Sequence, residues 1–422
     1  MGKNVLFISP TGTLDNGAEI SITNLMKYLS LKNYSIYNVI PYINHQKQNE
    51  YIQFCNENNI NVLRIPVLKW WWEEAPGGFP GTKDERQAMY SANIREIRKY
   101  IHDYHIDLVI TNTVNIFQGA VAAKMESKPH YWLIHEFPRE EFSYYKDKID
   151  FIDKFSDKIF VVEGPLHECV KQMFENKKVE SFMSYTDIIP CVREDLLNTS
   201  PNKYRIVNVG RVTDNKNQIE ILKAYSKIKN ISEIVLIGGW DVEYKKLIDQ
   251  YILENNLSNI TFIGNSDNPW QYLKKNDICV LSSKMETFGL VYLEAAINAI
   301  PIVASNTPGY KHIKKKFDIG NLYESGNVSD LIDCINDIVE NYENYYLNAK
   351  QKSTEIQDNF TQEKSYEKII NSIFSNDYKC SDFLSPINFL FDSNNSKPLL
   401  KFKTYRFYKR GLNYLKRHLK KR

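Results

Sequence analysis

Short runs of apolar residues alternate with longer stretches of helical periodicity along both halves of the chain. Candidate strands fall at residues 5–8, 36–41, 62–67, 108–111, 131–135 and 159–162 in the first half, and at 205–209, 234–237, 260–263, 278–281 and 302–304 in the second. Runs of this kind, apolar throughout instead of alternating, suit strands covered on both faces. Helical segments between them predict a doubly wound parallel sheet in each half. Residues 188–203 read as the crossing from one half to the other. With 422 residues, 43% of them hydrophobic, there is chain enough for two domains with substantial cores.

The most informative stretch is E-T-F-G-L-V-Y-L-E, running from Glu286 to Glu294. Before it, D-I-C-V-L-S-S is a strand of the doubly covered type; after it, L-V-Y-L-E-A-A-I-N-A is helical until Pro301. The two carboxylates therefore straddle a helix start. A helix N-terminus presents unpaired N–H groups and partial positive charge, a ready anion site if Phe288, Gly289 and Leu290 supply those groups beside Thr287. Gly289 lets the backbone approach closely. Glu286 and Glu294 would accept hydrogen bonds from sugar and ribose hydroxyls on either side. Taken alone, the same spacing is also what a loop Glu and a helix Glu favoured by the helix dipole would give.

Upstream, Y-R-I-V-N-V-G-R-V-T-D-N-K is an apolar strand that ends at Gly210 and is followed by Arg211 and Lys216. Arg grips phosphate oxygens in a bidentate way, and Lys is a mobile point charge. The pair suits a diphosphate whose charge grows as it leaves.

Strand-Gly-Arg-x4-Lys followed by strand-loop-E-x7-E resembles the nucleotide half of glycosyltransferase family 4, the retaining GT-B enzymes. The resemblance spans roughly residues 4–374. Gly17-Ala18-Glu19 stands where that family has Gly-Gly-x-Glu; Asn16 replaces the first glycine and, tolerating positive φ, preserves the turn. His135, at the end of Y-W-L-I-H-E-F-P, stands where the family places a histidine near the donor sugar. Gly238-Gly239 resembles its glycine loop beneath the nucleotide. His312 departs from the pattern, occupying a position where Glu is common.

What the resemblance implies is an α/β fold of GT-B type, two Rossmann-like domains facing a cleft. Residues 1–188 would bind acceptor, with a helix at 361–374 returning to them, and residues 200–360 would bind the nucleotide-sugar. The implied catalytic set is Glu286, Arg211, Lys216 and His135. The implied donor-binding set is Gly17, Gly210, Gly238, Gly239, Thr287, Phe288, Gly289, Leu290 and Glu294. The expected activity is retaining transfer of a hexose-like sugar from a nucleoside diphosphate to a glycan or lipid-linked acceptor. Two alternatives stay open: a catalytically silent GT-B subunit of a glycan assembly complex, and a nucleotide-sugar epimerase. No cofactor is expected. No His/Cys cluster suggests zinc, and there is no D-x-D pair of the kind that holds a divalent ion in another glycosyltransferase fold.

Composition adds two features outside the nucleotide logic. The loop L-K-W-W-W-E-E-A-P-G-G-F-P-G-T-K presents Trp70, Trp71 and Trp72 among Pro and Gly, an adaptable aromatic surface expected to contact acceptor or membrane, or else to anchor the loop to its own domain. Residues 401–422 carry ten Lys or Arg and no Asp or Glu, leaving 44 of the 54 basic residues against all 51 acidic ones, a net of −7 for the rest. Within residues 375–422, Tyr405, Tyr408, Leu412, Leu415 and Leu419 share one helical face with cations around it, an amphipathic helix suited to an anionic membrane surface and not to nucleic acid. The six scattered cysteines read as reduced, and no run approaches the ~20 apolar residues that span a bilayer. The expected place is the cytoplasm, peripheral to the inner face of the cell membrane.

Overall fold

The computed structural model describes residues 2–43, 46–71, 80–139, 142, 146–174, 178–188, 190 and 203–375. Two compact units divide the chain: the residues up to Met183 together with those from Tyr366 onward, and Ser184 to Ser365.

The first unit runs β1 (Asn4–Ile8), α1 (Gly17–Leu31), β2 (Ser35–Pro41), α2 (Gln46–Glu57), β3 (Ile60–Ile65), α3 (Lys83–Asp103), β4 (Leu108–Asn112), α4 (Gln118–Met125), β5 (His130–Ile134), α5 (Lys146–Phe155), β6 (Lys158–Val162), α6 (Pro165–Val170) and β7 (Val179–Phe182). Its sheet has the order β3-β2-β1-β4-β5-β6-β7, and every pairing is parallel. The second unit runs β8 (Tyr204–Val209), α7 (Gln218–Tyr225), β9 (Ile231–Ile237), α8 (Val242–Glu254), β10 (Ile260–Gly264), β11 (Asp277–Leu281), α9 (Leu290–Ile297), β12 (Ile302–Ser305), α10 (Pro308–Phe317), β13 (Asn321–Tyr323), α11 (Val328–Glu340), α12 (Tyr342–Asn359) and the start of α13 (Gln362–Ser375). Its order is β10-β9-β8-β11-β12-β13, again parallel.

Both sheets are doubly wound, with the chain reversing direction across the sheet beside the first strand. The switch point lies between β1 and β4 in one unit and between β8 and β11 in the other. Crevices for ligands open at the carboxyl ends of strands at such points. Strands β4, β5 and β11 are buried at every position, which explains their central apolar runs, with polar residues only toward their ends.

Register at the second switch point is held from the opposite, amino end. Arg205 grips Asp277 through Nε to Oδ1 and Nη2 to Oδ2, both at 2.8 Å, and reaches Glu233 at 3.3 Å. Planar guanidinium against carboxylate fixes geometry as well as charge. With Arg205 opposite Asp277, the carboxyl ends of β8 and β11 finish side by side.

From Tyr366 on, α13 is fastened to the first unit. Tyr366 donates to the Ser21 carbonyl at 2.6 Å, Tyr131 to that of Ser372 at 2.9 Å, and Lys3 to that of Ile373 at 2.6 Å.

Three expectations are corrected here. The third strand is Ile60–Ile65, two residues earlier than 62–67. Asn16 is extended at φ −123°, so no left-handed residue is required there. The tight turn is made by Gly12 at φ +67°, where a Cβ would lie 2.7 Å from the Ile40 side chain. Trp70 and Trp71 are not an adaptable surface: they are 7% and 8% exposed. Trp70 packs on Phe117 and Phe151, Trp71 stacks on Tyr90, and the Trp71 N–H donates to the Tyr90 hydroxyl at 2.8 Å. Gln118 and Asn93 hold the carbonyls of Lys69 and Val67. Burying these rings within their own unit outweighs leaving them in water. Trp72, the crossing apart from Ile188, Pro190 and Lys203, and the basic stretch with Tyr405, Tyr408, Leu412, Leu415 and Leu419 lie outside the described residues. Among the described residues no helix is long and apolar enough to cross a membrane.

Candidate active site

The second unit assembles its site from the loops after β8, β9, β11 and β12. Gly210 ends β8 at φ +142°, and its N–H donates to the Ile237 carbonyl at 2.8 Å. Gly238 follows β9 at φ +144°, and a Cβ there would lie 2.4 Å from the Gly210 oxygen, so only glycine lets these two turns touch. A Cβ on Gly239 would meet the Asn265 amide at 2.5 Å. The buried Asn208 and Gln218 complete the turn. Gln218 donates to the Asn208 side chain and to the Arg211 carbonyl, both at 3.2 Å. This fixes the backbone at Arg211 and leaves its side chain exposed; among the described residues its guanidinium has no ion-pair partner.

Lys216 reaches the neighbouring loop. Its Nζ donates to Glu286 Oε1 in an ion pair whose side chains are 26% and 15% exposed. The backbone is tied across as well: the Ser282 hydroxyl donates to the Lys216 carbonyl at 2.8 Å, Lys284 N–H to the Asn215 carbonyl at 2.7 Å, and the Asn215 amide to the Met285 carbonyl at 3.1 Å. Glu286 has further support. The Ser283 hydroxyl donates to its Oε1 at 2.9 Å and lies 3.2 Å from the Tyr310 hydroxyl. The Gly309 N–H donates to the Glu286 carbonyl at 3.0 Å, and a Cβ on Gly309 would press on backbone atoms of Thr287 and Phe288 at 2.8 Å.

Helix α9 starts immediately beyond. Gly289, left-handed at φ +95°, is its N-cap, and no side chain caps it. Phe288 is buried, anchoring the entry, while Thr287 and Leu290 are half-buried. The α9 amino end with its partial positive charge thus sits just past the Lys216–Glu286 pair, as an anion site requires. Glu294 lies within α9, where Trp270 Nε1 donates to its Oε2 at 3.0 Å. Burial raises the Glu294 pKa; the Trp270 bond and the Lys216 charge pull it back down.

The first unit holds the remaining predicted residues. Gly17 opens α1 and is exposed. His135 follows β5, buried, its ring edge-on to Phe182 at 5.3 Å and its Nε2 without a hydrogen-bond partner. Burial pushes its pKa down to about 3, so the imidazole is neutral at physiological pH. Glu136 beside it is pushed up to about 7 by burial, and so is Glu19 of α1, to whose Oε1 the Thr11 hydroxyl donates at 2.6 Å.

Sequence reasoning missed Ser283, Trp270, Gly309 and Tyr310. Ser283 was findable, because it lies two residues past the buried strand β11 and three before Glu286. Gly309, in a Pro-Gly pair after β12, carried a weaker signal. Trp270 and Tyr310 carried none, since only tertiary packing brings them to the carboxylates.

Residues 195–355 match the family model described as glycosyl transferases group 1. The chain carries a group 1 glycosyltransferase domain. That match takes in all the second-unit residues described above, from Gly210 to Tyr310. N-acetyl-alpha-D-glucosaminyl L-malate synthase of Bacillus anthracis is 23% identical over 224 residues, which are 50% of this chain and 57% of that protein. The match thus spans little more than half of that relative's length. An uncharacterized glycosyltransferase of Methanocaldococcus jannaschii is 26% identical over 340 residues, 78% of this chain and 86% of its own. Among solved structures, Anabaena HepE in complex with UDP and glucose aligns with a TM-score of 0.69 at 16% identity, over 88% of this chain and 100% of that one. The likeness is one of fold: both units are parallel-sheet and Rossmann-like, as in the GT-B fold.

Proposed function

We propose that the protein is a retaining glycosyltransferase of family 4 that moves a hexose-like sugar from a nucleoside diphosphate to an acceptor hydroxyl, the acceptor being a lipid-linked glycan. The observation that carries this reading is the Lys216–Glu286 pair at a topological switch point, next to a helix start that no side chain caps. A cation, a carboxylate and a helix N-terminus together match a ligand with a diphosphate at one end and sugar hydroxyls at the other.

In the proposed reaction the bond between the anomeric carbon and the diphosphate oxygen breaks while the acceptor oxygen forms its bond on the same face. Arg211 and Lys216 stabilise the negative charge that grows on the departing diphosphate, and a diphosphate oxygen takes the acceptor's proton. Glu286 accepts hydrogen bonds from the transferred sugar, Glu294 from the ribose, and neutral His135 meets the sugar as donor or acceptor. The loops at Gly210, Gly238 and Gly239 bring backbone close to the nucleotide. Gly17 and the N–H groups of Phe288, Gly289 and Leu290, beside Thr287, serve the diphosphate. No metal takes part, because two side-chain cations and a helix end supply the positive charge. The basic segment 401–422 holds the enzyme on anionic lipid at the cytoplasmic face of the cell membrane, next to such an acceptor.

The test is the anomeric configuration of the first-formed product, read by NMR with EDTA present. The proposal predicts the configuration of the donor; an inverted product, or turnover only with added divalent metal, contradicts it.

A further inference from the structure

At the end of β4, Asn112 is fully buried, and neither its Nδ2 nor its Oδ1 has a hydrogen-bond partner. Buried side-chain amides are ordinarily satisfied, because an unpaired amide gives up its bonds to water and gains nothing in return. The residue after it adds a second anomaly. Thr113 is a β-branched residue at φ +73°, held there by its N–H donating to the Leu133 carbonyl at 2.9 Å and its carbonyl accepting from Trp132 Nε1 at 2.8 Å.

The position is that of a ligand site. β4 flanks the switch point of the first unit, as β11, which leads to Glu286, flanks that of the second. Parallel register sets Asn112 opposite Leu133, and His135 lies two residues on, so alternation puts Asn112 and His135 on one sheet face. Their Cα atoms are then about 8 Å apart, combining ~4.8 Å between strands with ~6.6 Å along one. His135 Nε2 is also buried and without a partner. Glu136 closes the edge between them, accepting from the N–H groups of His135 and Val114.

We infer that Asn112 is a sugar-recognition residue of the first unit, its amide bonding the hydroxyls of a neutral carbohydrate ring next to His135. The chemistry selects this class. An amide presents donors and an acceptor together and a neutral imidazole presents one or the other, which matches hydroxyl groups that both give and accept. Glu136, on which both the Glu19 carboxyl and the Lys148 ammonium act, leaves no net positive charge there to favour an anion. The inference rests on the glycosyl-transfer reading and extends it, because either the acceptor glycan or the transferred sugar supplies such a ring.

The test compares the full chain with Asn112→Leu, which keeps the branching at Cγ in a larger side chain and removes the unpaired polar atoms, and with Asn112→Ala, which removes them without adding bulk. Three rates are read: transfer to acceptor, hydrolysis of the nucleotide-sugar without acceptor, and UDP affinity. We expect Asn112→Leu to melt no lower than the wild type, to bind UDP equally, and to lose at least 10-fold in kcat/KM for transfer. Loss confined to transfer, with a raised acceptor KM, assigns the ring to the acceptor; a parallel loss of donor hydrolysis assigns it to the transferred sugar. Should the leucine variant misfold, Asn112→Ala is read in the same three assays. Saturation-transfer NMR with glucose and with N-acetylglucosamine in the presence of UDP gives an independent reading, and the wild-type signal is expected to vanish in either variant. Wild-type transfer rates and unchanged saturation transfer in the variants overturn the inference while leaving the glycosyl-transfer reading intact. Absence of turnover in the wild type strikes that reading instead, and the NMR comparison then decides Asn112 alone.

Discussion

The Nζ of Lys216 donates to Oε1 of Glu286, joining the loop after β8 to the loop after β11 across 70 residues of chain. Each group neutralises the other; under the proposed function, a bound nucleotide-sugar shares the cation with its diphosphate and the carboxylate with its sugar. Lys216→Ala is therefore expected to lower kcat by roughly 100-fold or more, the scale of one lost group that stabilises charge in the transition state. Glu286→Gln keeps the shape and removes the charge, and should cost about as much. Steady-state kinetics on both variants checks this; full activity in either removes that residue from the mechanism.

Gly309 is expected to tolerate no side chain. Its Cβ would press on the backbone of Thr287 and Phe288, which cannot swing aside as a flexible side chain can, and its N–H supports the Glu286 carbonyl. Gly309→Ala should displace the loop that carries Glu286, lowering transfer at least 10-fold and stability by ~1–3 kcal/mol. Activity and thermal melting are measured together; a variant that melts lower yet transfers normally shows that the loop does not set the geometry.

Trp270 tunes Glu294. Burial raises the carboxyl's pKa and the indole N–H opposes that rise, so Trp270→Phe raises it further. Under the proposed function ribose binding uses the ionised form, present above the pKa and lost as pH falls through it. The variant's nucleotide affinity should accordingly begin to fall at a higher pH than the wild type's, whatever stability the smaller ring removes at all pH values. Calorimetric titration with UDP across pH 5 to 8 reads this; parallel curves contradict it.

Glu19 ties stability to pH. Its folded pKa, pushed up to about 7 by burial from an ordinary 4.5, makes the protonated form the one the fold prefers. The stability it contributes is fully present below 4.5 and is lost as pH rises to about 7, after which the loss stays constant. Asp15 and Glu136 face the group with like charge and Thr11 with a hydrogen bond. Glu19→Gln should match the wild type near pH 4.5 and melt progressively higher than it up to pH 7. A constant difference across that range sinks the assignment.

Much of the architecture was legible because the doubly covered strands write themselves as unbroken apolar runs: V-L-F-I, L-V-I-T and I-C-V-L all fall within observed strands. The edge strands were not. β7, V-E-S-F, and β13, N-L-Y, are short and partly exposed, so their residues carry mixed polarity and only pairing with β6 and β12 defines them. Of the candidate site, the juxtaposition of Lys216 and Glu286 was legible, because each follows a strand end at the switch point. What the structure adds to the candidate pair Lys216 and Glu286 was illegible where packing supplies the partner: Trp270 reaches Glu294 from a short 3-10 turn, Pro269–Tyr272, with no periodic signal. The Trp run misled for a related reason. Consecutive aromatics beside Pro and Gly look like a free surface, yet Tyr90 of α3, Phe117 and Phe151 of α5 had a place waiting for the first two.

The account turns on nucleotide-sugar turnover by the pair in the second unit. Its most direct test is release of free nucleoside diphosphate from UDP-, GDP- and ADP-sugars, with and without membrane lipid extract, by the wild type and Lys216→Ala side by side, followed by mass spectrometry. The account predicts release from one donor, dependent on the extract, and its near-complete loss in the variant. Nucleotide binding with no release from any donor, or equal release by both proteins, would contradict it.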